Sequence, residues 1–474
     1  MSTLTRLEKW SYAVGNVPFA VKDAAFVNFV VFYYTQVEGL SGALTGLAML
    51  VALTWDAISD PVVGSWSDTV RSRWGRRHPL ILIGGLPTAL LFIAVFSPPD
   101  FLGESGLFVW LAGSSILLRT FLTINYIPYS AMGAELSPDY DERTEIAKAR
   151  VTTAWVAGMA MPALAFMLIF TTQDGSDGRL VSGNYDTYGL LSCVLVVIAT
   201  LVCVWGTRTV IPRLPTADDT GQTLHWKRIL SDLRQALSNR NFRLFIACNL
   251  AFMMAAGVYT TLGLYLGTYF WEFSTDQLAG LVVPTALGTF AAFFVLGKLG
   301  ERYDKPVLLS ASAFGVAFNA LWFIALRLLD LLPENGDPMI YALQWLNTAL
   351  AIFSIVSLQI IGASLTADIL DEQEIATGLR QEGVFFAASN FIGKATTGMG
   401  TFIAGLVVDF AGISPGSEPG EVPAQILTLL GGFTMGITFT LAIIASLFTL
   451  AIQLSRKDHE RIRLELAERR SLSS

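Results

Sequence analysis

Two aspartates, Asp56 and Asp60, stand four residues apart in the segment WDAISDP, inside a stretch otherwise apolar enough to lie in a bilayer. On a helix that spacing places both carboxylates on one face, one turn apart. Two uncompensated anions so placed repel each other, so either a monovalent cation sits between them or one of them carries a proton. Ser59 shares that face and offers a hydroxyl oxygen, and Thr123 offers a second if its helix is the neighbour. The result would be an all-oxygen cage for a hard ion, with Asp56 and Asp60 as the ligands of a sodium ion if the protein is not proton-coupled. A structural role competes with this one: Asp60 precedes Pro61 and could pin the following loop through its arginines.

Few other ionisable groups fall in apolar stretches, and each is a functional candidate because a charge inside a span costs about 3 kcal/mol or more. Lys22 and Asp23 are adjacent, so on a helix they diverge by about 100° and cannot both face one partner. Asp23 fits a substrate hydrogen-bond acceptor with Lys22 as the balancing charge, and a simple internal ion pair is the alternative. Lys394 lies in FIGKATTGMG, where small residues allow close helix approach. Held there, it would pair with Asp56 and Asp60 or with Asp23 across a cavity. Arg119, in RTFLTINYIPY, needs a buried partner, as an architectural ion pair or as a substrate contact.

The elements that must position these groups follow from composition. Of 474 residues, 53% are hydrophobic and 15% charged, where a soluble domain carries about 25% charged residues. Twelve stretches long enough to cross a bilayer are read at 12–36, 42–65, 78–98, 105–133, 148–171, 187–209, 241–270, 277–298, 306–328, 339–367, 383–410 and 424–453. The polar segment after the sixth divides the chain into an N-terminal bundle (1–209), a linker (210–240), a C-terminal bundle (241–453) and a charged tail (454–474). Within the linker, LHWKRILSDLRQAL reads as an amphipathic surface helix. The halves echo each other: GSWSDTVRSRWGRRHP (Gly64 to Pro79) and GKLGERYDKP (Gly297 to Pro306) each join a small-residue helix end, an acid and a basic cluster.

Lysine and arginine crowd alternate connections, at Arg6, Lys9, Arg71, Arg73, Arg76, Arg77, Arg143, Lys298, Arg302 and Lys305, and again in the linker and tail. The other connections are acidic or neutral. Both termini are therefore expected in the cytoplasm. The net charge of -7 adds little to that. The N-terminus lacks the signature of a cleaved signal peptide. Cys193, Cys203 and Cys248 fall inside spans with no CxxC spacing, so they read as apolar filler. No Walker A loop, HExxH or dinucleotide fingerprint occurs. The chain is therefore expected to be no enzyme and to use no cofactor beyond a coupling cation, drawing its energy from a gradient.

These segments resemble a known family. WDAISDPVVGSWSDTVRSRWGRRHPLILIG is similar to the helix 2 to 3 signature of the glycoside-pentoside-hexuronide cation symporters, the melibiose-carrier-like branch of the major facilitator superfamily. AVKDAAFVNFVVFYYTQVEGLS is similar to their helix 1, ELSPDYDERTEIAKAR to the loop after helix 4, and ADILDEQEIATGLRQEGVFFAASNFIGKATTG to helix 11 and its preceding loop. The resemblance implies an all-α membrane protein with the major facilitator superfamily fold, twelve transmembrane helices in two six-helix bundles, and alternating access.

It puts the family's cation site on Asp56, Ser59, Asp60 and Thr123, with Ser59 in place of an asparagine. Its sugar site falls on Asp23, Arg150 and Lys394, with Lys22 beside them. Three positions depart: Tyr126 replaces an aspartate, while Ser130 and Gln359 replace tryptophans, which weakens the case for melibiose-like galactosides. IPYSA (Ile127 to Ala131) also resembles the sodium-coupled lysolipid symporters of the same branch, so an amphiphile is an alternative solute. A membrane sensor that only inherited the fold is a third reading. The implied partners are a small solute, a sodium ion or proton and the lipid of the cytoplasmic (inner) membrane, with no nucleic acid, and the implied state is a monomer.

Single cysteines at positions 103 and 473 test the charge asymmetry. A membrane-impermeant thiol reagent should label Gly103→Cys in intact cells and Ser473→Cys only after lysis. Labelling of both from outside would overturn the orientation.

Overall fold

The computed structural model describes residues 4–172, 176–214, 238–377 and 382–473, apart from the side chains of 140, 376, 377, 382–388 and 470–473. Eleven helices among the described residues are long and apolar enough to cross a membrane, and a bent pair makes a twelfth span. In chain order these are α1 (Arg6–Asn28 with Val30–Val37, bent by 44°), α2 (Gly42–Thr69), α3 (His78–Phe96), α4 (Glu104–Glu135), α5 (Tyr140–Leu168) and α6 (Ser182–Gly206). The second set is α7 (Arg240–Phe270), α8 (Thr275–Arg302), α9 (Lys305–Leu328), α10 (Pro338–Thr377), α11 (Glu382–Ala411) and α12 (Ala424–Leu450). The tail forms α13 (Arg456–Ser473).

Each expected span coincides with one of these helices. Two run furthest beyond their apolar stretches: α5 starts at Tyr140 because the Asp139 carboxylate caps it by accepting from the Glu142 amide (2.8 Å), and α10 continues to Thr377. The expected amphipathic linker helix falls outside the described residues.

The same packing scheme serves both sets. In the first, α2 packs on α4, α3 on α4 and α6, and α1 on α5 and α6; in the second, α8 packs on α10, α9 on α10 and α12, and α7 on α11 and α12. The first helix of each set also ends in a π-helical turn, Tyr33–Val37 in α1 and Leu266–Phe270 in α7. The faint sequence echo is thus a structural repeat, of the kind that places a site between its halves.

Between the sets α2 lies along α11, α5 meets the start of α8, and α1 meets α7. The α2–α11 contact is made by glycines. A β-carbon at Gly405 would stand 2.0 Å from the Gly42 carbonyl oxygen, and one at Gly46 would stand 2.7 Å from the Phe402 α-carbon. Gly400 brings α11 equally close to α7, where a β-carbon would stand 2.3 Å from the Met254 carbonyl oxygen. Small residues give helices without a hydrophobic drive between them more dispersion contact, and here they let one helix touch both sets.

At the end of the bundle carrying the α1–α2 and α7–α8 connections, polar bonds tie the sets together. The Thr35 and Tyr265 hydroxyls pair, the Tyr269 hydroxyl donates to Gln36 Oε1 (3.0 Å), and Asp409 caps α2 by accepting from the Gly42 (2.6 Å) and Ala43 (2.7 Å) amides. Arg179, buried and paired with Asp177, donates across to Thr268 Oγ1 (2.9 Å) and the Phe273 carbonyl (3.1 Å).

At the opposite end the ion pairs among the described residues stay within a set, as in Arg77 with Glu135 (2.7 Å) and Lys305 with Asp368 (2.6 Å). There α13 packs on α10, and Arg456 donates to the Gly300 carbonyl (2.6 Å) at the end of α8. Polar bonds between the halves thus gather at one face, while the ion pairs among the described residues at the other join parts of one half.

Gly405→Val is expected to force α2 and α11 apart at the sealed face, an overpacking cost of about 1–3 kcal/mol. The check is the reaction of an impermeant thiol reagent with a cysteine replacing the buried Thr261, which should speed up in the Gly405→Val background. An unchanged rate would mean that the seal does not depend on this glycine contact.

Candidate functional site

Asp56 and Asp60 project from the middle of α2 on one face, as their spacing dictates. Thr123 Oγ1 of α4 lies 3.1 Å from Asp56 Oδ1 and 3.1 Å from Asp60 Oδ1. A hydroxyl has one hydrogen to donate, so it satisfies one carboxylate and turns a lone pair to the other. A proton or a cation joining the three oxygens would strengthen that second contact. The Oδ2 atoms face the other way. Lys394 Nζ of α11 stands 3.0 Å from Asp56 Oδ2 and 2.5 Å from Asp60 Oδ2, crossing from the second half to the first.

Arg119 is the group the sequence left without a named partner. It lies one turn before Thr123 on α4, is 4% exposed, and places a guanidinium nitrogen 3.3 Å from Asp56 Oδ2 with its plane near the Phe26 ring (4.8 Å). The signal for this was present: the four-residue step from Arg119 to Thr123 repeats the step from Asp56 to Asp60, so two helices facing each other bring the pairs together. Ser59 donates its hydroxyl to the Asp56 backbone carbonyl (3.1 Å), tying it to its own helix. The loop arginines Arg76 and Arg77 bind Glu135, and Arg77 also binds Asp68 (2.8 Å). Asp60 instead faces Thr123 and Lys394, which removes the reading of it as a loop anchor.

Lys22 and Asp23 pair with each other, Lys22 buried over the Phe19 ring (4.4 Å) and the Asp23 side chain half exposed. Phe19 also stacks on Tyr126 at 4.4 Å. Arg150 donates to Ser130 Oγ (3.1 Å). Beside the aspartate pair the structure thus shows two further groupings, Lys22 and Asp23 next to the Phe19–Tyr126 stack and Arg150 with Ser130. Gln359 of α10 lines a cavity of about 190 Å³ in the second half, together with Asn249, Thr366 and Ser389.

A repeated six-helix scheme with paired acids and a lysine at the seam defines a polytopic transporter of the major facilitator type. The chain belongs to the family described as MFS/sugar transport protein, which it matches over residues 11–456. It is 24% identical to the inner membrane symporter YicJ of Escherichia coli, over 90% of this chain and 87% of that one. It is 21% identical to the sodium-dependent lysophosphatidylcholine symporter 1 of Gallus gallus, over 99% and 91%. Among solved structures it is similar in fold to a D-xylose-proton symporter, with a TM-score of 0.62 at 15% identity, covering 95% of this chain and 98% of that chain.

The lysine bridge should register as an energetic coupling. In a cycle of Asp60→Asn, Lys394→Gln and both, the double variant is expected to lose about 1–3 kcal/mol less apparent stability than the two single losses together. Unfolding of the purified protein measures this. Additivity within about 0.5 kcal/mol would mean that the two side chains do not interact.

Proposed function

We propose that this chain is a cation-coupled secondary symporter for a sugar or glycoside-like solute, working by alternating access between bundles 1–209 and 241–453. The observation that supports it is the position of Lys394. A tethered cation from one half occupies the oxygen site formed by the other. In the proposed cycle a monovalent cation or proton arriving at Asp56, Asp60 and Thr123, with Ser59 alongside, takes over the charge that Lys394 neutralises. The ammonium is then free to meet solute or to let the halves move. Ligand binding shifts a conformational equilibrium only by its differential affinity for the two states, and a site split between moving halves supplies such a difference.

The solute would contact Asp23, Tyr126, Ser130, Arg150 and Lys394, with Lys22 holding Asp23 and Gln359 meeting it from the second half. Carboxylate and guanidinium groups that bind hydroxyls, beside an exposed aromatic edge, are the groups a polyol requires. The protein would act as a monomer in the cytoplasmic membrane with both termini in the cytoplasm, so the face opposite the bonds between halves would be the inner one. No chemical conversion of the solute is involved.

A second reading, an amphiphile as solute, draws on a cavity of about 440 Å³ between the halves, lined by Val27, Pro162, Phe166, Trp271 and Leu278 with Asn347 at its wall. Its mostly apolar lining fits a chain more than a sugar ring.

In proteoliposomes Asp60→Asn should abolish gradient-driven accumulation and preserve counterflow exchange, because a neutral residue imitates a permanently loaded site. Testing glycosides and a lysolipid in parallel separates the two solutes. If the variant still concentrates solute as wild type does, Asp60 is not the coupling site, and if wild type transports none of them the sensor reading gains.

A further inference from the structure

We propose that Arg119 is an ion-selectivity residue that denies the aspartate pair to sodium and lithium. This rests on the reading of Asp56 and Asp60 as the coupling site and goes beyond it by deciding which ions the site admits.

The argument is one of charge and freedom of movement. Four side chains meet there: two carboxylates, the Lys394 ammonium and the Arg119 guanidinium, within 3.3 Å of at least one partner oxygen. Their formal charges already cancel. An alkali ion entering that buried group leaves a net positive charge in a medium where like charges repel strongly.

Lys394 can yield to such an ion. Its ammonium rides on a flexible stem, and its side chain is 29% exposed. Arg119 cannot. It is charged at every physiological pH, its side chain is 4% exposed, and the Phe26 ring covers its guanidinium. Once Lys394 withdraws, Asp56 remains matched by Arg119, and Asp60 alone is left to attract an ion.

Thr123, the hydroxyl that would complete an oxygen cage, stands one turn from Arg119 on α4, so any ion held by Thr123 and both carboxylates shares Asp56 with the guanidinium. A pair of carboxylates without this arginine would carry two charges for one alkali ion. With it, the pair carries one.

The test measures ion binding by the full chain, without any solute. Thermal unfolding of purified protein is followed while sodium or lithium replaces choline at constant ionic strength. Wild type should show no stabilisation specific to either ion. Arg119→Gly and Arg119→Gln should each gain it, with a midpoint at least roughly tenfold lower than any seen for wild type, and adding Asp60→Asn should abolish the gain. Arg119→Gln keeps length and polarity should the glycine variant not fold.

Sodium-specific stabilisation of wild type at millimolar concentration would overturn the proposal whatever the variants do. So would a folded Arg119→Gln protein indifferent to both ions. If that indifference comes with an Asp60→Asn protein that has lost accumulation, the coupling site stands and only the role of Arg119 falls. If Asp60→Asn still accumulates solute, the coupling site itself falls.

Discussion

Charge cancellation at the seam between α2 and α11 is the constraint on which the remaining arrangement depends. An isolated ion in a medium of low dielectric is so costly that it must be paired or neutralised. Asp56 and Asp60 therefore cannot be satisfied by α2 alone, and Thr123 of the neighbouring helix provides one hydrogen for two carboxylates. Lys394 reaches them only because α11 lies against α2, and α11 lies there only because Gly42, Gly46 and Gly405 remove the side chains that would keep the backbones apart. Electrostatics selects the partner, and small residues make the approach possible.

The same contact separates the roles of the two faces. Beyond Lys394 toward one end, capping by Asp409, the Thr35–Tyr265 pair and the Arg179 cluster tie the halves together. Toward the other end, ion pairs such as Arg77 with Glu135 and Lys305 with Asp368 rigidify each half on its own. Bonds made within a half survive a rocking motion, whereas bonds between halves must break. The sealed face is built from neutral hydroxyl bonds, an amide, one capping carboxylate and the Arg179 guanidinium. The neutral bonds are worth about 1 kcal/mol net and those to charged groups about 1.5–3 kcal/mol, weak enough to exchange singly.

Much of this is legible in the order of the residues alone. Twelve apolar stretches, the helical step from Asp56 to Asp60 and the lysine among glycines require no tertiary information, because bilayer thickness and helix pitch fix them. Pairing across the chain is less accessible. Lys394 has two candidate partners in the sequence, and only the close approach of α11 to α2 selects the aspartates over Asp23. Lys22 and Asp23 turn toward each other despite diverging along the helix, because both side chains are long or mobile enough to bend back. Arg119 has no assigned partner in the sequence, since nothing in one chain's residue order states that α4 faces α2. Gln359 lines a cavity of the second half, and a glutamine there leaves no trace in periodicity.

The two halves share one packing scheme but not one chemistry, and this asymmetry bears on coupling. The five helix pairings that build the first set have their counterparts in the second, yet the paired acids sit on α2 while the corresponding helix α8 carries Thr285, Thr289 and glycines through its middle. With the acids confined to one half, the second half contributes the mobile cation. An ion bound entirely within the first half would not sense the position of the second. Under the proposed cycle Lys394 removes that independence: a cation taking its place would change a bond between halves, so occupancy of the acid pair and the relative position of the bundles would become a single equilibrium.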